Sequence, residues 1–262
     1  MKTVQRLPIF IIFILIPFIA GCTNEEKIEL TISAAASMTN SLNEIKKEFE
    51  QDYPHISVTY HFGGSGTLRK QIEQGAPIDL FFSASKKDYQ LLEEGGFVRN
   101  GSAILQNKLV FIQQSNEEKQ SLTDFLHSDG KIAIGTPEAV PAGTYSEQLL
   151  KELGIWDKLQ GRIILTKDVR QVLTVVKEGA VDVGIVYQSD IHGEENLEAA
   201  WESDPHLYEP IQYFAAIIGN NSAVDDRKID AMEHFYQFIQ EEQSMNIFAS
   251  YGFDTTEALV NQ

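Results

Sequence analysis

From Ile28 the chain alternates apolar and polar residues as Ile28-Glu29-Leu30-Thr31-Ile32, the period of a half-buried strand, and runs into the small residues 33–37. The period then changes to that of a helix. Leu42, Ile45, Phe49 and Tyr53 recur at helical spacing while Glu44, Lys46, Lys47, Glu48 and Glu50 fill the opposite face, which predicts a helix over 39–53 ended by Pro54. The sequence repeats this plan. A strand over 56–62 leads through Gly63-Gly64-Ser65-Gly66-Thr67 to a helix over 68–74 closed by Gly75. The nearly continuous apolar stretch 78–82 reads as a strand buried on both faces, followed by a helix over 86–94 stopped by Gly95-Gly96. Strand and helix in alternation predict a mainly parallel sheet with helices on both faces.

A second series of the same kind begins at Leu109. It predicts strands over 109–113, 131–135, 162–165 and 181–187, and helices over 144–153 and 169–178. The first of these helices turns Leu149, Leu150 and Leu153 inward, and Gly179 ends the second. Two further helices lie around 229–239 and 244–251. The expected architecture is therefore α/β with two lobes. Lobe I takes residues 28–108 and 214–262 and lobe II takes 109–213, with hinge crossings at 106–108 and 209–213. Two lobes also suit the length, since of the 262 residues about 240 follow the N-terminal apolar segment and exceed the usual domain of roughly 100 to 150.

The N-terminus changes the picture of where the protein works. Lys2 and Arg6 precede an apolar run over 7–20, interrupted by Pro8 and Pro17, and then come Gly21-Cys22 and polar residues. The run is shorter than the roughly 20 apolar residues that span a bilayer and has the form of a secretion signal, residues 1–21. Ile19-Ala20-Gly21-Cys22 resembles the bacterial lipobox, which makes Cys22 the expected lipidation site, residues 22–27 a tether, and the cell membrane the expected extracytoplasmic anchor point. Cys22 is the chain's one cysteine, so no disulfide and no cysteine-based nucleophile or zinc site is available.

Charge narrows the partners. The chain carries 21 Lys+Arg against 38 Asp+Glu, and loss of the signal removes Lys2 and Arg6 and no acid, leaving 19 against 38. Nucleic acid and anionic lipid surfaces, which demand net positive charge, are poor partners for such a chain. An anion is held in so acidic a protein only by a local field of opposite sign, which oriented backbone amides supply.

The candidate chemistry lies where strands give way to helices. Small or hydroxyl residues stand at four such junctions: Ser37, Ser65, Ala142-Gly143 and Asp168-Val169. Helix N-termini present unpaired N–H groups and the positive end of the helix dipole, and open parallel sheets bind ligands beyond the carboxyl ends of their strands. The pattern reads as an oxyanion receptor. A receptor for sulfate or another oxyanion satisfies the same pattern, and so in principle does a secreted hydrolase using Ser37 or Ser65.

Several motifs carry a specific resemblance: Ala34-Ala35-Ala36-Ser37, Pro77–Ala84, Val140–Tyr145, Asp168-Val169-Arg170, Gly184–Asp190, Phe235-Tyr236-Gln237-Phe238 and Tyr251-Gly252-Phe253. In their order, and across nearly the whole mature chain, they resemble the periplasmic molybdate-binding proteins of ABC transporters. The resemblance implies a two-lobe receptor of the type II periplasmic-binding-protein fold, a monomer without cofactor or catalysis, that captures molybdate or tungstate and delivers it to a membrane permease. It implies as contacts the hydroxyls and amides of Ser37 and Ser65, the amides of Ala142 and Val169, and the hydroxyl of Tyr187. Where the family often has a run of serines, this chain has Gly64-Ser65-Gly66.

Other features receive plainer readings. Arg170 is assigned to lobe structure or the cleft rim, Arg69 and Lys86 to solvated surface, and Asp79 and Asp182 to turn or cap duty at strand starts. Ser83-Ala84-Ser85-Lys86 fits S-x-x-K, but the companion elements of β-lactamase-like enzymes are missing. The six histidines show no metal-ligand spacing and no pairing with a serine, and Trp156 and Trp201 read as packing residues.

Overall fold

A computed structural model describes residues 27–118, 121–219 and 225–255. The expected signal peptide and Cys22 lie outside the described residues, as does the end of the expected lobe I. The chain runs through β1 (Ile28–Ala35), α1 (Thr39–Asp52), β2 (Ile56–Gly63), α2 (Ser65–Glu73), β3 (Leu80–Ser83), α3 (Lys86–Glu94) and β4 (Val98–Asn107). It continues through β5 (Leu109–Gln114), α4 (Leu122–His127), β6 (Ile132–Gly135), α5 (Pro141–Glu152), β7 (Ile163–Thr166), α6 (Val169–Lys177), β8 (Val183–Tyr187) and β9 (Leu197–Glu202). It returns through β10 (Ile211–Ile218), α7 (Asp226–Phe238) and α8 (Glu242–Ser250).

These strands form two five-stranded sheets of one design, ordered β2-β1-β3-β10-β4 and β7-β6-β8-β5-β9. In each, three strands are parallel, as the alternation of strands and helices predicts. A fourth strand, β10 or β5, then runs antiparallel between the parallel group and an edge strand. The chain passes between the sheets twice, from β4 to β5 and from β9 to β10. The antiparallel portion departs from the sequence expectation. Its edge strands β4 and β9 are only half covered and carry residues such as Arg99, Asn100 and Glu202, so they lack a clean apolar alternation. The lobe boundary expected after 213 also moves, because Ile211 already pairs with Asn107 in the first sheet. Pro210 marks the break, and Ile211-Gln212-Tyr213 is strand rather than crossing.

The helices bury the predicted faces. Leu42, Ile45 and Phe49 of α1 are fully buried, and Phe49 meets Phe235 of α7 edge-on with centroids 4.9 Å apart, so the C-terminal helices complete the first lobe. Leu149 and Leu150 are buried as expected, but Leu153, at the end of α5, is 37% exposed because the helix stops there and Gly154 turns the chain away. Among the described residues no helix is long and apolar enough to cross a membrane.

Asp79 and Asp182 perform one duty in the two lobes. Each precedes its strand and accepts a hydrogen bond from a backbone N–H on the neighbouring strand's side: Thr31 to Asp79 and Lys131 to Asp182, both at 2.7 Å. Asp79 is nearly inaccessible and also receives Lys228 at 3.0 Å. Replacing it orphans a half-buried N–H and leaves Lys228 without its partner, so Asp79→Ala is expected to cost about 2 to 3 kcal/mol in chemical denaturation. Asp182→Ala, at the more exposed equivalent, is expected to cost less than about 1 kcal/mol.

Candidate functional site

The parallel strands of both sheets end facing one another, and a small cavity lies between them. Ser37, Ser65, Ala142, Val169 and Tyr187 all line it, two from the first lobe and three from the second. No charged side chain does. All five are nearly inaccessible, as they would be in a receptor closed around its ligand.

Local structure explains why these positions have donors to spare. Ser65 and Val169 are the first residues of α2 and α6, and Ala142 is the second of α5, so their amides have no intrahelical acceptor. The capping groups nearby are engaged elsewhere. The Gly64 carbonyl accepts from Thr67 and Leu68, the Val140 carbonyl from Gly143 and Thr144, and the Asp168 carboxylate from Gln171. Pro141 at the first position pre-sets the α5 backbone. Gly143 lets α5 press onto β6 so closely that a Cβ there would lie 2.0 Å from the Gly135 carbonyl oxygen. Three helix dipoles thus point their positive ends at one uncharged cavity.

The hydroxyls are equally well defined. The amide of Ala84 donates to Ser65 Oγ at 3.1 Å, which leaves the Ser65 proton free to point elsewhere. Ser37 Oγ lies 2.9 Å from the hydroxyl of Tyr213. Tyr187 is fully buried, yet its hydroxyl has no partner among the described residues. A buried unpaired hydroxyl is costly, and its position on the cavity wall gives it somewhere to donate. Burial pushes the Tyr187 pKa well above the ordinary value, so the group keeps its proton at neutral pH.

The lobes touch at backbone level beside the cavity. The amide of Gly66, in α2, donates to the carbonyl of Ala139 in the second lobe at 3.1 Å. Outside this contact the cleft widens into a vestibule lined by Lys86, Lys87 and Arg69 on one side and Glu138, Tyr145 and Glu209 on the other. Arg69 is not free in solvent there, because Asp88 at 2.8 Å and Glu73 hold its guanidinium. Arg170 does not line the cavity; it acts on the buried carboxyl of Asp190, lowering its pKa against the larger effect of burial.

The arrangement does not support nucleophilic catalysis. Among the described residues neither Ser37 nor Ser65 has a histidine or carboxylate as a hydrogen-bond partner, and Ser83 of the S-x-x-K stretch is bonded to the backbone of Ser85 at the start of α3. All six histidines are exposed, and among the described residues no group of three or more acidic, histidine or cysteine side chains is placed to hold a metal ion. Sequence reasoning did not identify Tyr213, Asn107, Ala139 or Asp190 as parts of the site's surroundings. Tyr213 sits in the stretch 209–213, which reads as a crossing in sequence, and Ala139 contributes only its backbone.

Two lobes of one topology meeting over a neutral cage of amides and hydroxyls define a solute-binding protein. Residues 30–254 match the family described as bacterial extracellular solute-binding protein. The chain is 37% identical over 246 residues to YvgL of Bacillus subtilis (strain 168), whose name describes an ABC transporter substrate-binding lipoprotein, covering 90% of this chain and 92% of YvgL. It is 32% identical over 245 residues to the molybdate-binding protein ModA of Escherichia coli (strain K12), with the same coverage of each. The solved periplasmic molybdate-binding protein of Azotobacter vinelandii superposes with a TM-score of 0.76 at 27% identity, over 86% of this chain and 98% of that one. The chain belongs to the bacterial extracellular solute-binding protein family, a family of binding proteins and not of enzymes. Its small ligand is cargo, not a cofactor.

Proposed function

We propose that the protein is an extracytoplasmic receptor that captures molybdate, accepts tungstate in its place, and delivers the ion to the permease of an ABC transporter. The observation that carries this reading is the charge-free cavity where donors of both lobes converge, with the Tyr187 hydroxyl left unpaired. In this reading the ligand receives the hydroxyls and amides of Ser37 and Ser65, the amides of Ala142 and Val169, and the Tyr187 hydroxyl. Seven bonds to a dianion, each worth roughly 1.5 to 3 kcal/mol net, outweigh its desolvation and the several kcal/mol lost on association. Closure of the two lobes about the crossings near Asn107 and Pro210 buries the ion and presents a surface that an open form lacks. The lipobox-like Ile19–Cys22 stretch and the lipoprotein name of YvgL support a receptor tethered to the membrane through lipidated Cys22.

Selectivity follows from geometry rather than charge. A cage of fixed donors matches one size of tetrahedron, and molybdate and tungstate are similar in size and larger than sulfate. In calorimetry, tungstate is expected to compete well with molybdate and sulfate poorly; sulfate binding of comparable strength overturns the assignment. Molybdate is also expected to raise the melting temperature, because it is held only by the folded state. Ser37→Ala removes one hydroxyl donor and is expected to weaken binding roughly ten- to over a hundredfold. An unchanged dissociation constant removes Ser37 from the site.

A further inference from the structure

Ser37 is joined to a buried polar chain that the family comparison does not explain. Its Oγ lies 2.9 Å from the hydroxyl of Tyr213, a residue with no solvent exposure on β10. The side-chain amide of Asn107, the last residue of β4, reaches the Tyr213 oxygen at 3.4 Å and Ser189 Oγ at 2.8 Å. The chain therefore runs from the cavity, through Tyr213, to the point where the polypeptide crosses between lobes, and ends on a serine of the second lobe.

The directions of these bonds follow from the donor inventory. The amide of Lys108 donates to Asn107 Oδ1 at 2.9 Å, which fixes the Asn107 side chain with its NH₂ toward Tyr213 and Ser189. An NH₂ group only donates, so the Tyr213 oxygen is the acceptor in that contact. Ser37 Oγ is then the acceptor within reach of the Tyr213 proton. Ser37 accepts this bond and its own proton has to point elsewhere, into the cavity it lines. Burial raises the Tyr213 pKa well above its ordinary value, so the proton needed for this order is present at neutral pH.

We infer that Tyr213, oriented by Asn107, is a positioning residue that commits the Ser37 hydroxyl to donate toward the bound oxyanion. The inference rests on the reading of the cavity as an oxyanion site. Without Tyr213, the Ser37 hydroxyl loses its enforced direction and the polarisation supplied by the chain behind it. The device is local to the site, and one serine of the cage depends on a tyrosine that does not itself line the cavity.

A double-mutant cycle on the full chain, titrated with sodium molybdate in a calorimeter, tests this. Tyr213→Phe keeps the ring and removes only the hydroxyl. It is expected to weaken binding about three- to tenfold while Ser37 is present. In a Ser37→Ala background the same substitution is expected to change binding less than about twofold, because there is no hydroxyl left to orient. Asn107→Ala is expected to repeat the pattern with a smaller loss. It provides the same test should Tyr213→Phe unfold, as thermal melting of the ligand-free protein reveals. An unchanged affinity in Tyr213→Phe, or an equal loss with and without Ser37, overturns the positioning role while leaving molybdate capture standing. Failure of the unsubstituted chain to bind molybdate overturns both.

Discussion

Gly64→Val is expected to weaken molybdate binding at least about a thousandfold while leaving each lobe folded. Gly64 is not needed for an unusual backbone: its φ of −69° and ψ of 131° suit any residue. What it provides is closeness across the cleft. A Cβ at this position would lie 2.6 Å from the carbonyl oxygen of Ala139 and 3.3 Å from that of Lys167, both in the second lobe. Backbone oxygens cannot yield as a flexible side chain does, so a branched side chain holds the lobes apart. An open cleft withdraws Ala142, Val169 and Tyr187 from a ligand held on the first lobe. Three bonds at roughly 1.5 to 3 kcal/mol each total about 4.5 to 9 kcal/mol, which is a thousandfold or more. Calorimetry gives the affinity, and a melting curve without ligand checks that the lobes remain folded. Binding within tenfold of the unsubstituted chain rules out closure at Gly64 as a requirement.

The same residue shows how far the sequence was legible. Gly63-Gly64-Ser65-Gly66-Thr67 announces a tight junction before a helix, and its glycines suggest close backbone approach. That the approach is to Ala139, 75 positions further along, depends on how two lobes close and has no local signature. The parallel strands and the helices that follow them were readable because burial on both faces produces unbroken apolar runs such as Ile78–Phe82. The antiparallel strands were harder. Val98–Asn107 has one face on its neighbour and the rest near solvent, so its pattern is mixed. β10 is buried almost throughout and as apolar as any strand, but its first residues, Ile211-Gln212-Tyr213, follow Pro210 and read as a crossing. For the cavity, sequence supplied the small and hydroxyl residues at the junctions, and the fold brought all five candidates together. The polarity of their hydrogen bonds, set by Ala84, Tyr213 and Asn107, is a tertiary property.

Stability is expected to fall as pH rises from about 4 to 7, and Asp190 is the cause. This residue follows β8, three positions after Tyr187, and its carboxyl is buried. One oxygen accepts from the Tyr187 amide at 3.0 Å, and the other has no partner among the described residues. Burial raises its pKa from 3.8 to about 7, against the lowering effects of the Tyr187 amide and Arg170 and with the smaller raising effects of Glu194 and Asp168. Below about pH 4 the carboxyl is protonated in both the folded and unfolded chain and contributes no pH dependence. Between 4 and 7 the folded state retains a proton that the unfolded state has lost, so each unit of pH costs about 1.4 kcal/mol; above 7 the loss is complete at about 4 kcal/mol. Asp190→Asn keeps an acceptor for Tyr187 and removes the ionisation. Denaturant unfolding at pH 5, 6, 7 and 8 is expected to show this variant gaining stability over the unsubstituted protein as pH rises, with the difference levelling off above 7. The charge also bears on capture. Ionised Asp190 stands behind Tyr187 and opposes a dianion on the other side, so molybdate binding is expected to weaken from pH 6 to 8 in the unsubstituted protein and to stay level in Asp190→Asn. Parallel stability curves for the two proteins across this range place the carboxyl's titration elsewhere and remove Asp190 from both effects.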